Sequence, residues 1–495
     1  MEESEAIDSS KSRVKLVAST GDITLQQRNS PSSRPQKKDQ LHGYFESAQW
    51  YARRSSYPAP PSLTRGQVLN IPTDPKTIDR TADGTTILTT SSNHQIDGYI
   101  LPPDLLDPES SPHSLNPQVT IPLSERTNVL CPAPYFQLAE AYTNQILISS
   151  HDLPIQLYYL YPPQTSEDGT ATKVKHQPAS SYPFMRAHSE TFLSATAMLW
   201  PSPGTHFVAA TKNLLAKFDV SRTGEEPLLR IKTIPSERHL SKGSGVGMRG
   251  TISTLAAHPS SSESGLGLVA AGTWTRWVGM YDFAQAGDCV AAWGIESAVQ
   301  KTTERGRNSG IGIGGNGVTQ TAWSPCGRYL LVSERKSRGV LVYDVRVTGE
   351  LLGWLEGRDA ADSNQRVTCD VFLSGDAAGG GFEVWSGTTD GTVKVWENVG
   401  MREGPHAPAW DWQGHESTVG STCLHPSGSV IATCSGAWDF AGQDKEADSD
   451  NDTTKSRNGD QGETERLPAW MRRSNKESSL KIWCLNSTDG DTEAE

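Results

Sequence analysis

"GTTDGTVKVWENV", Gly387 to Val399, sets an Asp-Gly pair among small polar residues and then runs Thr392, Val393, Lys394, Val395, Trp396 in near alternation. Two readings of Asp390 compete: an acid that does chemistry, or the corner of a hairpin. Asp-Gly tolerates the positive φ of a tight turn, and alternation puts Val393 and Val395 on one strand face with Lys394 on the other. A corner built several times recurs along a chain, whereas a catalytic acid stands alone.

The pattern recurs. "TADGTTILTTSSNHQIDGYIL" (Thr81 to Leu101), "VTQTAWSPCGRYLLVSERKSRGVLVYDVR" (Val318 to Arg346) and "STVGSTCLHPSGSVIATCSG" (Ser417 to Gly436) share the grammar of strand, polar turn with Gly, strand. The turns Asp83-Gly84, Pro325-Cys326-Gly327 and Pro426-Ser427-Gly428 each precede an apolar run. In them Pro presets φ and Gly permits the left-handed corner. Weaker copies span Ser194 to Val220 and Thr254 to Phe283. Copies close on an aromatic and a polar residue: Phe218-Asp219, Tyr281-Asp282, Tyr343-Asp344, Trp396-Glu397 and Trp483-Cys484. With Tyr135 to Tyr161, and an opening copy in which Tyr44 to Trp50 pairs with Thr85 to Leu101, the units number seven.

Seven repeats of about 40 to 45 residues, the length of a WD-type blade, fill roughly 300 of the 495 residues. The fold expected is all-β: a single seven-bladed propeller with a disordered N-terminus and rim insertions. A lone four-stranded blade leaves its faces uncovered, so neighbours must stack and the ring must close. Residues 1–40 are expected to be disordered, 41–487 to form the propeller, and 488–495 to be a disordered tail. Insertions are expected at about 51–80 and 287–317 and in an acidic stretch, 441–466. The final strand, Ser479 to Leu485, completes the last blade, and the strand near Tyr44 to Trp50 is a candidate to clasp the same closure.

The 45 Gly, 30 Pro and 14 Trp suit short strands and tight turns, and no apolar run approaches the roughly 20 residues that span a bilayer. No membrane partner is expected, and the polar start "MEESEAIDSSKSR" does not read as a secretion signal. Seven scattered cysteines without a C-x-x-C pair read as reduced thiols of the nucleus or cytosol. A formal charge of −12 argues against coating nucleic acid nonspecifically while leaving room for a local basic patch.

"GIGIGGNG" (Gly310 to Gly317) resembles a phosphate cradle only superficially, because no Gly-Lys-Ser/Thr follows and the next element is a strand; it reads as a flexible loop. His258, His415 and His425 recur near blade starts, at places a ring would hold far apart, so structural hydrogen bonds explain them better than a metal. No G-x-S-x-G elbow or assignable base marks a nucleophile. No enzyme, cofactor, metal or small-molecule substrate is expected.

Basic and aromatic residues mix at "GTWTRWVGMY" (Gly272 to Tyr281), "SERKSRG" (Ser333 to Gly339) and "DSNQRVTCD" (Asp362 to Asp370). Trp274 and Trp277 offer stacking planes for unpaired bases, and Arg276, Arg335, Lys336, Arg338 and Arg366 offer stacking or phosphate contacts. The alternative is that both tryptophans pack between blades and the charges form a solvated rim. Asp390, Gly391, Trp396, His415, His425 and Gly436 read as structural.

The wording "NQRVTCDVF", then "VWSGTTDGTVKVWE", then "LHPSGSVIATCSG" resembles the telomerase Cajal body protein family, in a fungal-type form. "FESAQW" with "DGTTILTTSSNHQIDGYILP", "GTISTLAAHP", and "GVTQTAWSPCGRYLL" with "VLVYDVR" resemble that family's first, fourth and fifth blades. The resemblance implies a seven-bladed WD-repeat propeller that binds small nuclear noncoding RNA, of the telomerase or Cajal-body class, together with its ribonucleoprotein proteins. It implies a nuclear location, Cajal-body-like or nucleoplasmic, with the cytoplasm as a second; Arg366 and Gly436 are the positions it carries over most directly. The chain departs from the family in the insertion after Trp50 and the acidic stretch before Lys481. The expected function is a non-enzymatic, monomeric scaffold for such RNA; the alternative is a protein-only adaptor of the splicing machinery or chromatin.

Overall fold

Short β-branched runs divided by Gly and Pro corners can pair only with their sequence neighbours, so each repeat folds into its own antiparallel sheet. A computed structural model describes residues 13–22, 84–91, 94–109, 111–162, 176–236, 238–239, 247–262, 266–305, 312–358, 360, 365–373, 381–436 and 477–485, and the backbone of 45–50. They form seven blades around a ring.

Blade one pairs Phe45–Trp50, Thr86–Ser91, Gln95–Ile100 and Val119–Pro122; blade two, Thr127–Pro132, Gln145–Ser150, Ile155–Tyr159 and Ser180–Tyr182. Blade three comprises Ala197–Leu199, His206–Thr211, Leu214–Asp219 and Leu229–Lys232, and blade four Ile252–Ala257, Leu268–Thr273, Trp277–Asp282 and Asp288–Gly294. Blade five comprises Val318–Trp323, Tyr329–Glu334, Gly339–Asp344 and Leu351–Glu356; blade six, Cys369–Phe372, Phe382–Gly387, Thr392–Val399 and Trp410–Gln413. Blade seven joins Val419–Leu424, Val430–Ser435 and Ser479–Leu485 to Val14–Ser19. First strands of neighbouring blades touch from blade two round to blade seven and from blade seven to blade one, so each blade runs outward from the centre.

Apolar side chains on the blade faces gather into clusters between neighbours. One, with Ile87, Tyr99, Val17, Leu480 and Ile482, joins blade seven to blade one. Six others lie between blades one and two, two and three, three and four, four and five, five and six, and six and seven. Burying one Leu or Ile contributes roughly 1.5–3 kcal/mol, so the ring stands on its interfaces more than on any single sheet.

The N-terminal strand departs from the disorder expected for residues 1–40 at Val14–Ser19; residues 1–12 and 23–40 lie outside the described residues. Val14–Ser19 lies antiparallel to Ser479–Leu485, from Val14 opposite Leu485 to Ser19 opposite Lys481. Thr20 fastens its end, with its N–H 3.0 Å from the Leu480 carbonyl and its hydroxyl accepting from Leu480 N–H at 3.0 Å. Val14–Ser19 is therefore the clasp, whereas Phe45–Trp50 is the innermost strand of blade one and pairs with Thr86–Ser91. The expected insertion at 287–317 also differs: it contains the outer strand of blade four and a helix, Glu296–Arg305. Ala298 and Val299 of that helix pack between blades four and five. The stretches 51–80, 441–466 and 488–495 lie outside the described residues.

Candidate functional site

Alternating strand directions put two kinds of connection on one face of the ring: the hairpins between second and third strands, and the links from each outer strand to the next blade. The basic segments singled out in the sequence share this face. In blade four the hairpin spans Thr273 to Trp277, with Arg276 at φ 65°. The Thr273 hydroxyl accepts from Trp277 N–H at 3.1 Å and closes the turn. This throws Trp274 outward, 43% exposed, while Trp277 packs with the cluster between blades three and four.

Blade five supplies the neighbouring hairpin, Arg335 to Arg338, with Lys336 at φ 55°. The Arg335 guanidinium lies over the Trp274 ring, 5.5 Å from its centroid. Lys336 and Arg338 are exposed, whereas Ser337 is buried and donates to the Ile313 and Gly339 carbonyls at 3.2 and 2.9 Å.

The glycine-rich segment is a spacer here, and its described part, 312–317, is packed where a flexible loop is expected. Asn316 N–H donates to Arg335 O at 2.8 Å, and Arg335 N–H to Gly317 O at 2.9 Å. A Cβ at Gly317 would stand 2.5 Å from Trp274 O, and one at Gly315 would stand 2.3 Å from a Glu334 carboxylate oxygen. Only glycine lets the segment lie this close to both hairpins.

Arg276 is committed to protein. Its Nε lies 2.8 Å from Glu334 Oε1, and its Nη1 lies 3.8 Å from Glu296. Glu334 is 1% exposed and also accepts from Gly317 N–H at 3.3 Å. Burial pushes the Glu334 carboxyl above the usual carboxylate range, against the pull of the Arg276 charge.

Gln365, Arg366 and Thr368 tie the link entering blade six to blades four and seven. Arg366 Nη2 donates to Ser253 O on the first strand of blade four at 3.3 Å, and Gln365 Nε2 donates to Gly436 O at 2.8 Å. Thr368 N–H donates to Gly420 O in blade seven at 2.9 Å. The two positions carried over by resemblance thus meet through Gln365. Arg358, which no motif in the sequence singles out, anchors the same link: it is 1% exposed and donates to Ser333 Oγ at 3.1 Å and to Val367 O at 2.9 Å. Burial lowers it to about 10, against a smaller opposing effect of Cys369, so it stays charged at neutral pH. Arginine usually occupies surfaces, and no local pattern marks an exception.

Asp390 is a corner. Its carboxylate accepts from the Thr388 hydroxyl and from Thr392 N–H, the latter at 3.0 Å. Burial raises this carboxyl, but those bonds outweigh it and hold it low. Gly391, at φ 92°, offers its carbonyl to Gly414 and His415 N–H at 3.1 and 3.0 Å, locking blade six to blade seven. Trp396 is fully buried and its indole N–H donates to Glu356 O in blade five at 3.1 Å.

The three histidines occupy two kinds of place, where equivalence is expected. His415, in the link entering blade seven, has Nε2 2.7 Å from Thr433 Oγ1 and Nδ1 3.1 Å from Ser479 Oγ. The Trp483 indole N–H reaches the same Thr433 hydroxyl at 2.9 Å, and Glu477 accepts from Ser479. His258 and His425 end the first strands of blades four and seven, on the opposite face. His258 Nε2 lies 3.0 Å from Gly327 O in blade five, and His425 packs so closely on Gly84 of blade one that a Cβ there would be 2.0 Å away. These two work between blades. Among the described residues, no three or more His, Cys, Asp or Glu side chains converge as metal ligands would. No helix among them is long and apolar enough to cross a membrane.

No family model matches the chain. It is 24% identical over 407 residues to telomerase Cajal body protein 1 of Homo sapiens, covering 81% of this chain and 62% of that one. The Bos taurus protein of the same name is 24% identical over 406 residues, 81% of this chain and 63% of its own. A Schizosaccharomyces pombe protein, guanine nucleotide-binding protein negative regulator 1, is 24% identical over 347 residues, 70% of this chain and 74% of its own. The chain spans less than two thirds of the length of these mammalian relatives. It is a distant homologue of telomerase Cajal body protein 1.

Proposed function

We propose that this ring is a non-enzymatic scaffold that holds a small nuclear noncoding RNA within its ribonucleoprotein, in the nucleus, and assists its assembly or localisation. The observation that carries the reading is Trp274, exposed on the hairpin face with the Arg335 guanidinium over its ring. An aromatic plane beside cations is how sequence-tolerant sites hold unpaired bases, each stack contributing about 1–3 kcal/mol. Lys336 and Arg338 stand exposed in the next hairpin, ready for phosphate. The RNA contacts are therefore assigned to Trp274, Arg335, Lys336 and Arg338. Arg276, Arg366 and Trp277 support them from within the protein. The relatives' name supports an RNA of the telomerase or Cajal-body class.

Fluorescence anisotropy with a labelled single-stranded RNA, and the duplex of the same sequence as control, tests this on the full chain. The single strand should bind more tightly, weaken steeply with salt, and lose affinity in Trp274→Ala. The second reading, an adaptor that grips only protein, is favoured by the fungal relative, whose name is that of a regulator of a nucleotide-binding protein. Absence of RNA binding by a folded chain would select it.

A further inference from the structure

Blades four, five and seven share a feature of their outer strands that the ring itself does not require. Each outer strand carries one extra residue at the same register. In blade five Tyr343 pairs with Leu351 and Val342 with Gly353, so Leu352 is extra. In blade seven Trp483 pairs with Leu16 and Ile482 with Ala18, so Val17 is extra. In blade four Tyr281 pairs with Cys289 and Met280 with Ala291, so Val290 is extra. Such a bulge twists the strand and re-aims its outer edge.

In two of the three blades that edge holds a fifth strand, parallel, whose pairing starts at the residue after the bulge. Gly404–His406 pairs with Gly353, Trp354 and Leu355, and His113–Ser114 pairs with Ala18 and Ser19. Both added strands come from the connection between third and outer strands of the following blade, blade six in one case and blade one in the other. Blade four has the bulge, and Ala291 is the counterpart of Gly353 and Ala18. The blade that follows offers only the short turn Val345 to Glu350 at the corresponding place, too few residues to reach out and return. Among the described residues nothing pairs with the outer edge of Asp288–Gly294, at seven residues the longest outer strand of the ring.

We propose that the outer edge of blade four, at Ala291 to Gly294, is a docking site for an extended segment of a partner protein that adds as a parallel fifth strand. The surroundings define its chemistry. Val290 is 59% exposed, Val347 of the adjoining blade-five turn is 53% exposed, and Ala292 is exposed too. Asp288 at one end of the strand and Glu350 in the adjoining turn are exposed acids, as is Glu296 just past the other end, 3.8 Å from Arg276; the strand itself has no Lys or Arg, and Arg346 of the turn is held by Asp344. The partner segment therefore has small or β-branched residues at its centre and basic residues at its flanks. Main-chain pairing supplies the affinity, and the acids select the charge. Exposed edges are guarded by lysine, proline or a bulge; this one has only the bulge, and in blades five and seven the same bulge leaves the edge beyond it paired.

Hydrogen exchange on the full chain tests the site, with the synthetic peptide Lys-Val-Thr-Val-Thr-Val-Lys as probe. At saturating peptide the amides of Ala291 to Gly294 that exchange rapidly in the free protein should slow by at least about fivefold. A backbone N-methylated peptide and the version with Glu at both ends should give little or no slowing. Ala292→Lys, at an exposed position and checked for unchanged thermal unfolding, should abolish the effect; Ala292→Thr should keep it. Unchanged exchange with peptide would overturn the proposal. So would slowing that Ala292→Lys leaves intact, or an edge already protected before peptide is added, by a second copy or by the chain itself.

Discussion

Blade seven and the rim of blades four and five both concentrate polar side chains, and they use them in opposite ways. In blade seven His415, Thr433, Ser479, Trp483 and Glu477 bond to one another, and Lys481 joins at 2.7 Å from Glu477. At the blade four and five rim the partly exposed Arg276 is satisfied inward by the buried Glu334, while Trp274, Lys336 and Arg338 face solvent. Polar groups that complete each other fix a fold; those presented outward are available for recognition. Sequence proximity does not separate the two, since Trp274 and Arg276 are two residues apart and fall on different sides of the divide.

The largest effect expected is on stability in blade seven. His415→Ala empties the space of a fully buried ring and takes one hydrogen bond each from the Thr433 and Ser479 hydroxyls, which keep Trp483 and Glu477, at a cost of about 3 kcal/mol in chemical denaturation. Next comes Arg276→Ala, which leaves the buried Glu334 carboxylate without its cation. Because Arg276 is itself about one fifth exposed, its loss should cost nearer 2 kcal/mol than the 3–5 of a wholly buried pair. If Arg276→Ala unfolds like the parent chain and yet loses RNA, the division drawn above breaks. Trp274→Ala should sharpen it, changing stability by less than about 0.5 kcal/mol while weakening single-stranded RNA by about 1–3 kcal/mol. The double variant Lys336→Ala, Arg338→Ala should lower the salt dependence of that binding by roughly 1.4, about 0.7 for each phosphate no longer neutralised.

How much of this was legible in the sequence follows the same divide. Repeats are local, so the corner at Asp390, the final strand Ser479–Leu485 and the pairing of the Tyr44 to Trp50 region with blade one are readable from alternation and turn chemistry. The clasp is not. Val14–Ser19 is an outer strand with one half-exposed face, so its apolar pattern is weak, and its partner lies some 460 residues away at Leu480. The helix Glu296–Arg305 hid behind glycine-rich neighbours that read as loop. Among the candidate site residues, type and place on the face were readable from position in the hairpins. Which cations turn inward was not, because that depends on a buried Glu334 in one blade and a Ser253 carbonyl in another. Arg358 gave no local sign, since its partners Ser333 and Val367 belong to two blades.

The smallest effect is the one that divides the two regions by sign. Burial first, then the Lys481 charge, lowers the His415 ring below its ordinary 6.5 despite Glu477 beside it. The unfolded chain then takes up this proton before the folded one does, and blade seven loses stability as pH falls through the region below 6.5. Glu477 acts in the same direction at lower pH: hydrogen bonds from His415, Lys481 and Ser479 outweigh its burial and hold its carboxyl far below 4.5, so its contribution is present above that value and fades beneath it. Glu334 runs the other way. Its folded carboxyl sits above 4.5, the folded chain protonates first, and its contribution grows as pH falls towards 4.5 and is lost as pH rises. Denaturation midpoints measured between pH 7 and pH 5 should therefore fall less steeply in His415→Gln than in the parent chain, and more steeply in Glu334→Gln. Parallel curves for all three would mean that neither group changes its proton affinity on folding, and that the polar interiors of the two regions are alike in the property that most distinguishes them.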